Sequence, residues 1–264
     1  MILLGKPIAE KIYSKLKKDV EALKTKNIAP TLAVILVGED PASLTYVKAK
    51  QKQAQKLGIN FKFFHLPGIA REGKILALIN NLNNNKFVDG IVVQMPLPEG
   101  IDADKIIKVI NPNKDIDGFS GKFRPPTAQA IWEILGFYNI DLKNKKVVII
   151  GYGRLVGKPL AELLKKQKLE PVICTSSSDI AAETLDADII ISATGVPGLI
   201  KAEMVSQKAV VIDAGTAESH QKISGDVDPK VYGKITSYTP TPGGVGPVTV
   251  ACLLRNLIEA IKKK

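Results

Sequence analysis

The stretch Lys146-Val147-Val148-Ile149-Ile150-Gly151-Tyr152-Gly153-Arg154-Leu155-Val156-Gly157 decides how the chain is read. Val147–Ile150 is an unbroken aliphatic run with no polar alternation, the pattern of a strand buried on both faces. The glycines that follow mark a strand-to-helix turn. At such a turn backbone amides face an anion, and a missing Cβ lets a phosphate come close. The spacing is Gly-x-Gly-x-x-x-Gly, one residue longer than the usual fingerprint, so a ligand-free Gly-rich turn stays open as the plainer alternative. Outward from this turn, a helix is expected from about Leu155 to Lys168. Strands are expected at Pro171–Cys174, Asp188–Ser192 and Ala209–Ala214, a doubly wound α/β pattern.

The N-terminal half alternates in the same way. Ile8, Ile12, Leu16, Val20 and Leu23 mark a helix over 7–27, and Leu32–Val37 is a buried strand ended by Gly38. A helix from Pro41 to Leu57, a strand near Ile59–His65, a helix over Arg71–Leu82 and a strand Gly90–Gln94 complete a second parallel layer. Asn80–Asn85 reads as an exposed turn. The Pro-rich break Lys122-Phe123-Arg124-Pro125-Pro126 places a boundary just before it. The expected fold is therefore α/β with two domains and a cleft between them. An N-terminal α/β substrate domain covers 1–120, joined by an amphipathic C-terminal helix (247–264), and a Rossmann-type dinucleotide-binding domain covers 121–246.

The chain has 264 residues, with 37 Lys+Arg against 26 Asp+Glu, a net charge of +11. The lysines are spread over helix faces and aromatics make up only 5%, which argues against a nucleic-acid stripe and leaves attraction of acidic small ligands. Two cysteines, Cys174 and Cys252, are too few for a disulfide framework or a zinc site, and no metal is expected. No apolar run approaches the ~18 residues of a membrane span, and the first apolar residues break too early, at Pro7, for a signal core. A cytoplasmic protein with no membrane partner is expected.

Several constellations carry possible chemistry. Tyr46 and Lys50 lie one helical turn apart, which suits stacking on a flat heterocycle beside proton transfer; a surface Tyr–Lys pair is the plainer reading. Gln94 closes an apolar strand, where α/β sheets present ligand-facing groups, or simply caps the strand. Asp115 and Asp117 stand in a tight turn where turn chemistry alone would place acids. Thr239–Pro247 reads as a rigid loop lining a cleft, with an ordinary interdomain connection as the plainer alternative. The second Rossmann strand ends in Cys174-Thr175-Ser176-Ser177-Ser178 with no acid before Asp179, and these hydroxyls with Arg154 favour NADP over NAD. His65 and His220 have no partner motif, and both cysteines and Trp132 read as core residues.

Taken together, six blocks resemble the methylenetetrahydrofolate dehydrogenase/cyclohydrolase family, in order and over nearly the whole chain. They are Pro41-Ala42-Ser43 with Tyr46 and Lys50, Asp89–Pro98, Lys114–Phe119, Val156-Gly157-Lys158-Pro159, Gly225-Asp226-Val227 and Pro242–Pro247. The resemblance implies a homodimer acting on tetrahydrofolate derivatives in one-carbon metabolism and purine biosynthesis. It implies oxidation of 5,10-methylenetetrahydrofolate with NADP, then hydrolysis of the methenyl product to 10-formyltetrahydrofolate. By the same resemblance Lys50 is the catalytic lysine, Tyr46 stacks on the folate, Gln94 bonds near Lys50 and Asp117 holds the pterin edge. Val93, Met95, Pro242, Gly243, Gly244, Val245 and Gly246 line the folate, and Gly151, Tyr152, Gly153, Arg154, Leu155, Ser176 and Thr216 hold the cofactor.

The chain departs from the family pattern at three places. Gly151-Tyr152-Gly153 stands where Gly-Arg-Ser is usual, and Thr175 where a histidine precedes the matching Ser176, so NAD is an alternative cofactor. The stretch from Phe119 to Pro125 is short, and Asp213-Ala214-Gly215-Thr216-Ala217 replaces Asp-Val-Gly-Ile-Asn. A member with one activity only is the second reading; a non-catalytic, nucleic-acid-binding Rossmann protein is the third and rests on charge alone.

Overall fold

The computed structural model describes residues 1–219 and 222–263; His220 lies outside the described residues. The chain divides into two compact units, Lys11–Pro126 with Val250–Lys264, and Met1–Glu10 with Thr127–Thr249. Each of the three crossings falls inside or at the end of a helix. Helix α1 (Lys6–Lys24) carries the first crossing.

In the Lys11–Pro126 unit the order is β1 (Thr31–Val37), α2 (Pro41–Leu57), β2 (Asn60–Leu66), α3 (Glu72–Asn84), β3 (Gly90–Val93) and α4 (Ala103–Val109). The three strands pair in parallel in the order β2-β1-β3, with Val34 opposite Phe63 and Val92. Every residue of central β1 is buried, as its continuous apolar run requires, whereas edge strand β2 is largely exposed. Ala33, Ile35, Val37, Ile75, Ile79, Leu82, Ile91 and Ile106 form the core on one face of this sheet. Helix α2 begins where the Asp40 carboxylate accepts from the Ser43 amide at 2.7 Å, with Pro41 at its start. Its buried stripe is Ser43, Val47, Lys50, Ala54 and Leu57, so a lysine occupies a position at which an aliphatic residue would be expected.

The asparagine run is not a turn: α3 continues through Asn84. Two side chains carry it that far. Asn83 donates to the Val109 carbonyl and accepts from the Asn111 amide, tying α3 to the end of α4. The buried Lys114 ammonium donates to the carbonyls of Leu82, Asn83 and Asn85 at 2.9, 2.7 and 2.8 Å. A cation at a helix C-terminus answers both the orphan carbonyls and the helix dipole.

In the other unit the order is α5 (Pro126–Phe137), which carries the second crossing at its first residue, β4 (Val147–Ile150), α6 (Gly157–Lys166), β5 (Val172–Cys174), α7 (Ile180–Leu185), β6 (Ile189–Ser192) and β7 (Val210–Asp213). The antiparallel pair β8 (Ala217–Ser219) and β9 (Lys222–Ser224), the short β10 (Ser237–Tyr238) and α8 (Val245–Lys262) follow. Helix α8 carries the third crossing. The five-stranded parallel sheet runs β10-β7-β6-β4-β5, so chain direction across the sheet reverses at β4. In such sheets ligands bind beyond the carboxyl ends of the strands at the reversal, here β4 and β6. The first ten residues cluster with this unit, where Leu3 donates to the Tyr238 carbonyl at 2.7 Å and Ile2 bridges Tyr238 of β10.

Two further expectations change. Trp132 is only partly buried, and Ile131, Ile134 and Leu135 fill the core instead. Helix α6 starts at Gly157, not Leu155, since residues 151–156 form a wider loop. Cys174 and Cys252 are buried and not joined in a disulfide. Among the described residues no helix is long and apolar enough to cross a membrane, and no group of His, Cys, Asp or Glu is placed to hold a metal ion.

Replacing Lys114 with Met should remove the donor from three carbonyls at once and lower stability by about 2 kcal/mol. Urea unfolding measures this, and a loss below about 0.5 kcal/mol, the scale of ordinary surface substitutions, would mean the cap is not a stabilising element.

Candidate active site

The first constellation lies within the Lys11–Pro126 unit. From its place in the buried stripe of α2, Lys50 (8% exposed) directs Nζ to Gln94 at the end of β3 and donates to Oε1 at 2.8 Å. Gln94 is held at both ends. Its backbone amide continues the ladder to the Ile35 carbonyl at 2.8 Å, and its Nε2 donates to the Met95 carbonyl at 2.8 Å. The same Met95 carbonyl accepts from Ser43 Oγ at 3.3 Å, so the first turn of α2 and the end of β3 share one acceptor. Gln94 is thus both the strand-end cap and a fixed acceptor for the lysine. Tyr46, one turn before Lys50, is partly exposed.

Burial lowers the Lys50 pKa, and the Asp117 charge opposes that fall. Burial pushes the Asp117 carboxyl up to about 6; the Lys50 charge lowers it and the Asp115 charge raises it. The two acids of the turn therefore divide in role. Asp115 accepts from the Ser120 amide at 2.6 Å, which is turn chemistry, while Asp117 is electrostatically paired with Lys50. A buried amine with a lowered pKa, beside a fixed acceptor and a raised carboxyl, is suited to proton transfer.

The second constellation lies in the unit with the five-stranded sheet. Gly151 has φ +91° and donates to the Cys174 carbonyl at 2.9 Å; a Cβ there would press on the Ala193 backbone after β6. A Cβ on Gly157 would collide with the Gly151 carbonyl, so the third glycine lets α6 pack closely on β4. This bare backbone cradle at the reversal of strand order fits a dinucleotide phosphate. Tyr152, Gly153, Arg154 and Leu155 are exposed around it, as are Ser176 and Thr216. The Thr216 carbonyl approaches Gly195 on the loop after β6. The segment Thr239–Pro247 belongs to this unit, not to that of Lys50. Its turn is closed by Gly244 donating to the Pro240 carbonyl at 2.7 Å and Gly5 donating to the Gly243 carbonyl at 2.9 Å, and α8 starts at once with Val245.

One feature of this edge had no reading in the sequence. Asp213 (1% exposed) and Asp226 (0%) meet there. Asp213 accepts from the amides of Gly215, Asp226 and Val227. Asp226 accepts from Ser192 Oγ and the Thr194 amide, both at 2.7 Å, while its Oδ1 is buried without a hydrogen-bond partner. A Cβ on Gly215 would collide with the Asp226 carboxylate and one on Gly225 with that of Asp213, so both glycines are dictated by the acid pair. The block Gly225-Asp226-Val227 was the available signal, but only its partner Asp213 reveals why it is needed.

A buried lysine set against a raised carboxyl in one α/β unit, with a glycine cradle at the strand reversal of another, defines a nucleotide-dependent α/β enzyme class. The chain belongs to the tetrahydrofolate dehydrogenase/cyclohydrolase family. Residues 3–117 match the model of its catalytic domain and residues 125–264 that of its NAD(P)-binding domain. The chain is 46% identical over 279 aligned residues to the bifunctional protein FolD of Aquifex aeolicus, covering all of this chain and 96% of the relative. It is also similar to the crystal structure of the bifunctional dehydrogenase/cyclohydrolase FolD of Campylobacter jejuni (40% identity, TM-score 0.92, 100% and 99% of the two chains). A third similarity is to the Trypanosoma brucei enzyme complexed with NADP and an inhibitor (32% identity, TM-score 0.93, 100% and 97%).

Burial and the Asp226 charge push the Asp213 carboxyl up to about 6. An acid whose pKa is higher folded than unfolded favours the folded state when protonated, so that stability is lost as pH rises from about 4 to about 6. Asp226→Asn should therefore raise the urea midpoint relative to the parent at pH 7.5 and much less at pH 4.5. Equal shifts at both pH values would exclude repulsion between the two acids as the cause.

Proposed function

We propose that this chain oxidises 5,10-methylenetetrahydrofolate to 5,10-methenyltetrahydrofolate with NADP and hydrolyses that product to 10-formyltetrahydrofolate. The observation that carries the reading is the buried Lys50–Gln94 hydrogen bond beside Asp117, inside the family's catalytic domain. The product is a formyl donor, which fits a role in one-carbon metabolism on the side of purine biosynthesis. The family resemblance supports reading the enzyme as a homodimer, and its sequence supports reading it as cytoplasmic.

Lys50 does the proton work. Because burial disfavours its ammonium form, Nζ has a neutral fraction that accepts a proton from water as the water oxygen bonds to the methenyl carbon. Collapse of the adduct then breaks the bond from that carbon to N5 as the hydroxyl proton leaves for water to form the formyl C=O on N10. N5 takes the proton held by Lys50, which ends neutral again; the net release is one proton. Gln94 Oε1 keeps the amine aimed, and Tyr46 stacks on the pterin with Val93 and Met95 alongside. Asp117 accepts from the pterin N–H groups, for which a carboxylate is a stronger partner than a neutral amide. The segment Pro242, Gly243, Gly244, Val245, Gly246 covers the folate. When bound, NADP supplies the hydride acceptor for the oxidation. Gly151, Tyr152, Gly153, Arg154, Leu155, Ser176 and Thr216 hold it, with Arg154 and the hydroxyls after β5 at the 2′-phosphate. The second reading, a member with hydrolysis only or with NAD as cofactor, draws on Tyr152 standing where an arginine is usual.

Lys50→Met should reduce hydrolysis of the methenyl compound at least 100-fold, the usual scale for loss of a general base; undiminished hydrolysis would remove Lys50 from the mechanism. In a parallel absorbance assay with methylenetetrahydrofolate, NADP should be reduced in preference to NAD. Preference for NAD would assign the cofactor switch to the Gly-Tyr-Gly turn, and silence with both, alongside working hydrolysis, would favour the hydrolysis-only reading.

A further inference from the structure

Helix α8 presents an apolar face, Leu253, Leu254, Leu257 and Ile258 all being buried, and into that face it also places Asn256, 2% exposed. A primary amide in such surroundings is costly unless its N–H groups are used. Both are. Asn256 Nδ2 donates to the Ile116 carbonyl at 2.8 Å and to the Arg124 carbonyl at 2.9 Å. These two carbonyls are the two arms of the short loop that carries Asp117.

The Ile116 carbonyl is the oxygen of the peptide unit whose nitrogen belongs to Asp117. That unit is planar, so fixing its oxygen fixes the direction from which the Asp117 Cα leaves. Within the loop, Gly118 donates to the Asp115 carbonyl and Gly121 to the Gly118 carbonyl, both at 3.1 Å. Gly118, at φ +80°, lies against the backbone of Phe123 and Arg124, where no side chain would fit. The loop is thus two tight turns pressed together, and Asn256 is the side chain that joins its ends from outside.

We infer that Asn256 is a positioning residue for Asp117, holding the carboxylate at the distance from Lys50 and from the substrate that the reaction uses. The inference rests on the proposed folate reading for its kinetic consequences, not for its geometry. A leucine would fill a similar volume and remove both of these hydrogen bonds. The groups whose titration the placement governs are Lys50 and Asp117, with Asp115 as the third charge.

The test compares Asn256→Ala, Asn256→Ser, Asp117→Asn and the double variant Asn256→Ala/Asp117→Asn in the full-length protein. For hydrolysis of methenyltetrahydrofolate, Asn256→Ala should raise KM about tenfold. It should also move the acid limb of the pH profile to lower pH, as Asp117→Asn does, because Lys50 loses the charge that opposes its lowered pKa. In the Asp117→Asn background the Asn256 change should add little, since coupled residues are not additive. Fully additive losses with an unmoved pH profile would overturn the inference and reduce Asn256 to a packing residue. Hydrogen exchange of Gly118 and Gly121 in Asn256→Ser, which retains a donor for one carbonyl, tests the geometry without turnover. Faster exchange there supports the pinning, and unchanged exchange overturns it. Inactivity of the unmodified enzyme would count against the folate reading alone.

Discussion

The constraint on which the N-terminal site depends is one amine in an apolar stripe. Helix α2 buries Ser43, Val47, Ala54 and Leu57 on the same face as Lys50. The packing that stabilises the helix is therefore the packing that desolvates the lysine. Nothing local would relieve that cost; the partners come from elsewhere in the chain, Gln94 by hydrogen bond and Asp117 by charge. Fold and chemistry are coupled at this point. The β2-β1-β3 order places β3 beside β1, and α2 follows β1 directly, so the end of β3 meets the inner face of α2.

How much of this was legible follows from the range over which each signal acts. Leu32–Val37 and Val147–Ile150 read as buried strands because uninterrupted aliphatic runs have few other outcomes, and both belong to interior strands of their sheets. The short helices α4 and α7 were missed, being too brief to show a period. Their start signals were nevertheless present, since Asp102 and Asp179 both cap them with side-chain oxygens. β10 is two residues long and exists only because β7 and the N-terminal segment lie beside it. Lys50 and Gln94 were singled out by position, yet their hydrogen bond spans 44 residues and has no local trace. The misreading of Trp132 came from treating aromatic bulk as core when the helical register gives that place to Ile131, Ile134 and Leu135.

Both sites use carboxyl groups whose burial raises them, but to different ends. Asp117 answers a cation, the charge of Lys50, which lowers a carboxyl that burial raises. Asp213 answers another acid and a fan of backbone amides, and together with Asp226 ties the loops after β6 and β7 into one piece. The glycines at 215 and 225 are the complement of that tie, which explains why a stretch that departs from the family pattern at Ala214, Thr216 and Ala217 retains Gly215 between them.

The three crossings between the units bear on how the molecule is made. Each falls in or at the end of a helix, α1, α5 or α8, and none in a linker. The unit holding Lys50 includes Val250–Lys264, and Asn256 from that segment closes the Asp117 loop. During synthesis from the N-terminus, the first half of the chain is exposed long before the helix that completes it has been translated. The Lys50 unit therefore cannot complete its structure from its N-terminal segment alone. Its final structure waits for the last residues of α8, after the entire dinucleotide-binding sheet has already emerged.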